Sequence, residues 1–311
     1  MPGSETPGLA DSGGFHYIEW TLQEEYLDMT QTSSKPLAGK IALATGANTG
    51  IGRVTAVALA KQGAHVFLAC RSAQRAQPVL EEIRALPDAG TAELLPLALD
   101  DFASIRVCAE TFLARGLPLH LLVNNAGLAG ARGHTRQGFE LAFGVNHLGH
   151  FLLTQLLLGR IEAAAPARIV TVASKAHYRA RGIDWEAVRA PTRTRTGVQE
   201  YGVSKLANVL FSAELARRLA GSGVTTYSLH PGVVATEVWR SLPWPLDWLL
   251  KLALISPEQG AQTTMHCATS ASAAAETGLY YDKCRPVTPS RAARDAALAA
   301  ALWERSAEWV R

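Results

Sequence analysis

Thr45-Gly46-Ala47-Asn48-Thr49-Gly50-Ile51-Gly52 decides how the rest of the chain is read. It follows an apolar run, Ile41 to Thr45, and precedes a helical pattern reaching about Gln62. The glycines are spaced G-x-x-x-G-x-G. Glycine permits a sharp turn, and its missing side chain lets backbone N–H groups approach a pyrophosphate. The N-terminus of the next helix adds partial positive charge at the same place. A glycine triplet alone often means only a turn. With a strand before it and a helix after it, Gly46, Asn48, Thr49, Gly50, Ile51 and Gly52 are expected to hold a dinucleotide.

Outward from this loop, strand and helix patterns alternate. Apolar strands are expected at 65–69, 94–99, 119–123, 168–172, 225–229 and 278–281. Helices are expected at 75–86, 103–114, 137–159, 201–220 and 257–269. Repeated β-α-β with continuous apolar strands implies an α/β, Rossmann-type, doubly wound parallel sheet with helices on both faces. One domain, 37–311, accounts for the pattern. Residues 1–36 form an acidic N-terminal extension, with Glu5, Asp11, Glu19, Glu24, Glu25 and Asp28 against Lys35. Its first 14 residues read as disordered. Ile18, Leu22, Tyr26 and Met29 recur at helical spacing within 15–29.

The chain has 311 residues, is 48% hydrophobic and carries a net charge of +3. That charge is too small to argue for nucleic acid, which needs clustered Lys and Arg. Cys70, Cys108, Cys267 and Cys284 form no C-x-x-C pair and read as free thiols of a reducing, cytoplasmic compartment. His147 and His150 lie three apart on a helix without a third ligand, so no metal site is expected. Residues 1–14 do not resemble a signal peptide, and no run of about 18 uncharged apolar residues suggests a membrane span.

The second strand ends in Ala69-Cys70-Arg71-Ser72. A carboxylate near this point usually binds the ribose 2′-hydroxyl of NAD. Here Arg71 is suited to a 2′-phosphate, which guanidinium binds in a forked, charge-assisted way. Ser72 can add a hydrogen bond, and Arg53 can add positive potential. The expected cofactor is NADP(H).

Tyr201-Gly202-Val203-Ser204-Lys205 opens a helical run, and a spacing of four stacks Tyr201 and Lys205 on one face. A free tyrosine, with a pKa near 10, is a poor acid or base at neutral pH, and a neighbouring ammonium favours its phenolate. Y-x-x-x-K alone is common. Three partners give it weight. Ser174 follows the strand at 168–172, where its hydroxyl can hold a substrate oxygen. Asn124-Asn125-Ala126-Gly127 ends the strand at 119–123. Asn146 lies inside a long helix, a position unfavourable for asparagine without a task.

Taken together, these motifs resemble the short-chain dehydrogenase/reductase family over about residues 38–285. The resemblance implies that Asn146, Ser174, Tyr201 and Lys205 form a catalytic tetrad. Tyr201 would exchange a proton with the substrate oxygen that Ser174 positions. Lys205 would also bind the nicotinamide ribose, and Asn146 would hold a water leading to a proton relay. Asp100 matches the family aspartate near the adenine, and Asn125, Ala126 and Gly127 would line the cofactor. Pro231, Gly232, Val234 and Thr236 resemble the segment that closes over the nicotinamide amide. The stretches Val145–Thr154, Ser204–Phe211 and His230–Val234 are similar to the retinol dehydrogenase branch, whose members are NADP-linked and act on lipophilic aldehydes and alcohols. That branch commonly has an N-terminal membrane anchor where this chain has its acidic extension. Family members often form homo-oligomers, which makes the helices at 137–159 and 201–220 candidate interfaces.

The expected substrate is therefore a small carbonyl compound or alcohol. Its recognition falls to two segments. Residues 175–200 carry Arg179, Arg181, Arg189, Arg193 and Arg195. Val238 to Leu250 holds Trp239, Trp244 and Trp248, which suit an apolar lid, core or peripheral membrane contact. A catalytically idle NADP(H) sensor is the alternative reading, against which the full set Ser174, Tyr201 and Lys205 argues.

Overall fold

Six parallel strand pairings carry the described fold. The computed structural model describes residues 35–232 and 255–311. The expected helix at 15–29 and the segment Val238–Leu250 lie outside the described residues. The strands are β1 (Ile41–Thr45), β2 (His65–Cys70), β3 (Ala92–Pro96), β4 (Leu121–Asn124), β5 (Ala167–Val172), β6 (Val224–His230), β7 (Leu279–Asp282) and β8 (Arg285–Pro286). Their order across the sheet is β3-β2-β1-β4-β5-β6-β7-β8. The first seven run parallel, and β8 pairs antiparallel at the edge. From β1 the chain winds outward first through β2 and β3, then returns to β4 on the other side. Ligands bind such sheets beyond the carboxyl ends of the strands where the winding reverses. Gly46 and Asn125 start there.

Around the sheet lie α1 (Gly50–Lys61), α2 (Ala73–Ala85), α3 (Phe102–Leu113), α4 (Leu141–Glu162), α5 (Val198–Arg218), α6 (Pro257–Thr269) and α7 (Ala296–Trp309). Side chains alternate across a strand, and β1 shows the result. Ile41 and Leu43 join one apolar cluster with Phe67, Phe112, Phe151 and Leu210. Ala42 and Ala44 join another with Leu59, Val66, Tyr227 and Tyr281. Each sheet face thus has its own core, which is why the strands read as unbroken apolar runs.

Several elements differ from the sequence expectation, three of them in ways that bear on the site. Strand β3 spans Ala92–Pro96 rather than 94–99, its last partner being Cys70. Helix α4 starts at Leu141 rather than near 137, because a turn with Gly138 at φ +83° precedes it and Glu140 accepts the Phe143 N–H at 2.8 Å as its cap. Helix α7 was not expected at all. It lies on α4 and α5: Trp303 meets Phe151 edge-on at 5.0 Å and stacks on Phe211 at 6.0 Å, while Ser306 bonds His147 at 2.9 Å. The chain's own tail thus covers part of the surface that the family resemblance gives to contact between copies. By length and composition α4 could cross a membrane, but most of it is buried in this fold.

Candidate active site

The glycine loop is shaped for close approach. Gly46 and Gly50 have φ of +64° and +53°, the left-handed region that favours glycine. A Cβ on Gly52 would lie 2.2 Å from the Gly46 carbonyl oxygen and 2.5 Å from Asn125 Nδ2. Thr49, the N-cap of α1, makes no side-chain capping bond, so the first-turn N–H groups lack a side-chain acceptor. An uncapped helix start beside a left-handed glycine turn suits a pyrophosphate. Asn48 and Ile51 lie on the same loop.

The turn after β4 is tied to this loop. The Asn125 and Ala126 N–H groups donate to Thr45 Oγ1 at 3.0 and 2.9 Å, and Asn125 Nδ2 donates to the Thr45 carbonyl at 2.8 Å. Gly127 passes close to the reacting side: a Cβ there would sit 3.2 Å from Asn146 Oδ1 and 3.5 Å from Lys205 Nζ. One glycine thus joins the cofactor-lining turn to two of the expected tetrad residues.

On the adenine side, Arg71 is exposed just past β2 and pairs with no carboxylate among the described residues. Ser72 Oγ accepts the Arg75 N–H at 3.2 Å as the N-cap of α2, which leaves its own proton to donate. Arg53 does not add free positive charge: its Nε is 2.8 Å from Glu82. Asp100 is half-buried, two residues ahead of α3, and its carbonyl accepts the Arg136 N–H at 3.0 Å.

Ser174, Tyr201, Lys205 and Asn146 come together at the carboxyl edge of β4 and β5. Ser174 follows β5 and starts a short 3₁₀ turn, Lys175–Arg179, its Oγ accepting the Ala176 N–H at 3.1 Å. The same hydroxyl favours the ionised form of the Tyr201 phenol. Lys205 Nζ lies 5.7 Å from the Tyr201 ring centroid and donates to the Val172 carbonyl at 2.8 Å. Asn146 sits in a π-helical turn, Gly144–Leu148, within α4. Such turns recur at functional sites because they shift the helix phase by one residue. The Asn146 side chain bonds Leu128 N at 2.9 Å, Leu128 O at 3.0 Å and Ser204 Oγ at 2.9 Å. Three of its four hydrogen-bonding positions are filled, leaving one for a water.

Burial dominates the electrostatics. It pulls the Lys205 ammonium down to about 7 and pushes the Tyr201 phenol above its usual value, against the Ser174 hydroxyl. The spacing alone predicts that Lys205 lowers Tyr201. Burial acts the other way, because desolvation disfavours both charged forms.

Pro231 and Gly232 follow β6. Gly232 has φ +94°, and a Cβ there would meet Ile255 at 2.3 Å. Val234 and Thr236 lie outside the described residues. Beyond the expected set, the structure adds Thr45, Ser204, Asn208 and His150 to the hydrogen bonds around the site. Ser204, three residues after Tyr201, could have been singled out by helical spacing.

The sequence profile of the short chain dehydrogenases matches residues 40–244. The chain belongs to the short-chain dehydrogenase/reductase family. Human retinol dehydrogenase 11 is 44% identical over 281 residues, covering 89% of this chain and 87% of that protein. Among solved structures, an uncharacterized Mycobacterium paratuberculosis protein superposes with a TM-score of 0.70 at 34% identity, over 88% of this chain and 94% of that one. The RhlG/NADP active-site complex of Pseudomonas aeruginosa gives 0.64 at 28% identity, over 80% and 96%. The short-chain dehydrogenase/reductase described here is thus an oxidoreductase-family protein near the retinol dehydrogenase branch, and its family binds a nicotinamide cofactor.

Proposed function

We propose that the chain catalyses hydride transfer between NADP(H) and a lipophilic carbonyl/alcohol pair, such as a retinoid-like or other aldehyde or ketone. The observation that carries this reading is the convergence of Ser174, Tyr201 and Lys205 at the carboxyl end of β5, with Lys205 Nζ 5.7 Å from the Tyr201 ring centroid and bonded to the Val172 carbonyl. A dinucleotide with its pyrophosphate on the glycine loop would supply or accept the hydride at its nicotinamide. The protein's own groups handle the oxygen. Ser174 Oγ hydrogen-bonds it, and Tyr201 Oη gives it a proton as the carbonyl carbon gains the hydride. In the reverse direction the phenolate takes that proton. A charged Lys205 favours the phenolate, which reduction leaves behind and oxidation starts from.

Arg71 supports the NADP assignment, because it stands exposed where an NAD enzyme places a carboxylate. An NADP complex among the similar solved structures agrees with it. Retinol dehydrogenase relatives and the three tryptophans of Val238–Leu250 support a lipophilic substrate.

The test follows NADPH and NADH consumption over a panel of retinal, steroids and aromatic aldehydes. NADPH should be consumed with the lipophilic aldehydes. Tyr201→Phe should lower turnover by on the order of 10²–10⁴-fold while NADPH fluorescence still reports binding. Turnover unchanged by this substitution would sink the role given to Tyr201.

A further inference from the structure

His150 lies on α4, one turn after Asn146, and is 1% exposed. Its Nδ1 is 3.0 Å from the Asn146 carbonyl oxygen and its Nε2 is 2.8 Å from Thr45 Oγ1. The partners assign the tautomer. A hydroxyl has two acceptor positions and one proton. The Asn125 and Ala126 amides fill both positions on Thr45. The Thr45 proton therefore goes outward, to Nε2 at 2.8 Å rather than to the Val123 carbonyl at 3.4 Å. Nε2 is bare, and Nδ1 carries the hydrogen donated to Asn146.

His177 lies in the 3₁₀ turn after Ser174 and is fully buried. Its Nδ1 is 2.7 Å from the Ser174 carbonyl oxygen. Its Nε2 receives the Ser290 N–H at 3.1 Å. A carbonyl only accepts and a backbone N–H only donates, so this ring has the same tautomer, Nδ1–H with a bare Nε2. The ring lies between Tyr178 and Tyr280, with centroids 4.1 and 4.7 Å away. Tyr178 Oη reinforces the junction by donating to the Thr288 carbonyl at 2.7 Å.

The two rings share one geometry. We propose that His150 and His177 are a matched pair of positioning residues, each donating from Nδ1 to the backbone carbonyl of a reaction-site residue and accepting at Nε2 from a distant part of the chain. The separations are 105 residues for His150–Thr45 and 113 for His177–Ser290. One ring ties the π turn that presents Asn146 to the glycine loop. The other ties the turn that presents Ser174 to the stretch leading into α7. Neither touches substrate, and neither transfers a proton. Burial keeps both rings below the usual histidine value, His150 at about 4, so the neutral form that this geometry needs is the one present. The inference rests on the reaction proposed above, because it takes Asn146 and Ser174 as members of the reacting site.

The test uses the full-length protein with NADPH and the best aldehyde of the panel. His150→Phe and His177→Phe keep a ring and remove both hydrogen bonds. His150→Asn and His177→Asn restore an N–H at the Nδ1 position alone. Each Phe variant should lose on the order of 10–100-fold in kcat, since small misplacements of reacting groups cost that much. His177→Phe should leave NADPH affinity unchanged, whereas His150→Phe should also weaken it, because Thr45 holds the Asn125–Gly127 turn. The Asn variants should recover part of the loss. Amide deuterium exchange should quicken in 146–150 or in 174–178, each only in its own variants. Folded Phe variants with kcat within about twofold of wild type, or Asn variants no better than Phe, would overturn the proposal. Where a Phe variant does not fold, Asn is compared with Gln, which lacks the Nδ1-like donor; equal kcat for wild type, Asn and Gln overturns it. Wild-type turnover is read first. Its absence refutes the reaction and leaves the positioning role to the exchange measurement, where unchanged rates refute that role.

Discussion

Between β1 and β4 the protein builds a crevice from backbone: left-handed Gly46 and Gly50, a Gly52 pressed onto the Gly46 carbonyl, and an uncapped start to α1. Beyond β5 it builds from long-range side-chain contacts and from the irregular stretch 175–200. There Arg189 lies 5.3 Å over Phe139 and 5.8 Å over Trp309. A cavity of about 810 Å³ opens beside that stretch, lined in part by Phe143, Arg179, Arg181, Arg193 and Val203, and neither Ser174 nor Tyr201 borders it. The difference teaches where tolerance lies. A backbone cradle fails on the addition of one carbon. A side-chain wall can change its contents while the chemistry beside it persists.

The hardest blow to this contrast is a methyl group at Gly52. Gly52→Ala places Cβ against backbone at 2.2 Å. Overpacking of this kind costs about 1–3 kcal/mol, which, falling on the loop, weakens NADPH by roughly 5–150-fold. Titration of NADPH fluorescence measures it. The same change at Gly159 meets nothing within 4 Å and should raise stability by about 0.5–1 kcal/mol. Equal effects at the two glycines would erase the distinction between cradle and scaffold.

Arg71→Asp sharpens the same comparison within the cofactor half. Losing charge-assisted hydrogen bonds worth about 1.5–3 kcal/mol should weaken NADPH by roughly 10–150-fold and spare NADH. Parallel losses for both cofactors would remove the 2′-phosphate from the assignment.

A smaller effect separates function from stability. Lys205 has a folded value of about 7 against an ordinary 10.5, because burial penalises its charge. The unfolded chain therefore holds the proton more tightly, and stability rises with pH. The penalty is full below about pH 7 and fades toward the unfolded value. Lys205→Met removes it, while Asn208 Nδ2 still bonds the Val172 carbonyl at 3.2 Å. Without cofactor, Lys205→Met should melt higher than wild type at pH 6, with the gap closing by pH 10. Scanning fluorimetry checks it. A gap constant with pH would show that the buried ammonium is not its source.

What could be read from the sequence follows the same division. Gly46, Gly50 and Gly52 were legible because their steric demand is local and only glycine meets it. Tyr201 and Lys205 were legible because one helix carries both. His150 and His177 were not: each acts through a contact more than 100 residues away, and in a linear reading His150 suggests only packing or a metal. The burial that opposes any lowering of Tyr201 by Lys205 was not legible, because spacing carries no information about solvent. Helix α7 was missed because five alanines in Ala296–Ala301 blur its apolar face, leaving Leu302 and Trp303 to define it.

Helix α7 also sets the order in which the chain can be completed during synthesis. Phe151 and Phe211 emerge with α4 and α5, but Trp303, which closes over them, follows some 80 residues after α5 ends. At ribosomal rates that is a delay of roughly 4–16 s. For that interval a nascent chain carries its reacting residues beneath an uncovered aromatic face, and a chain that stops short of α7 leaves that face open for good. Quality control that reads exposed aromatic surface would thus be reading whether synthesis had passed α7.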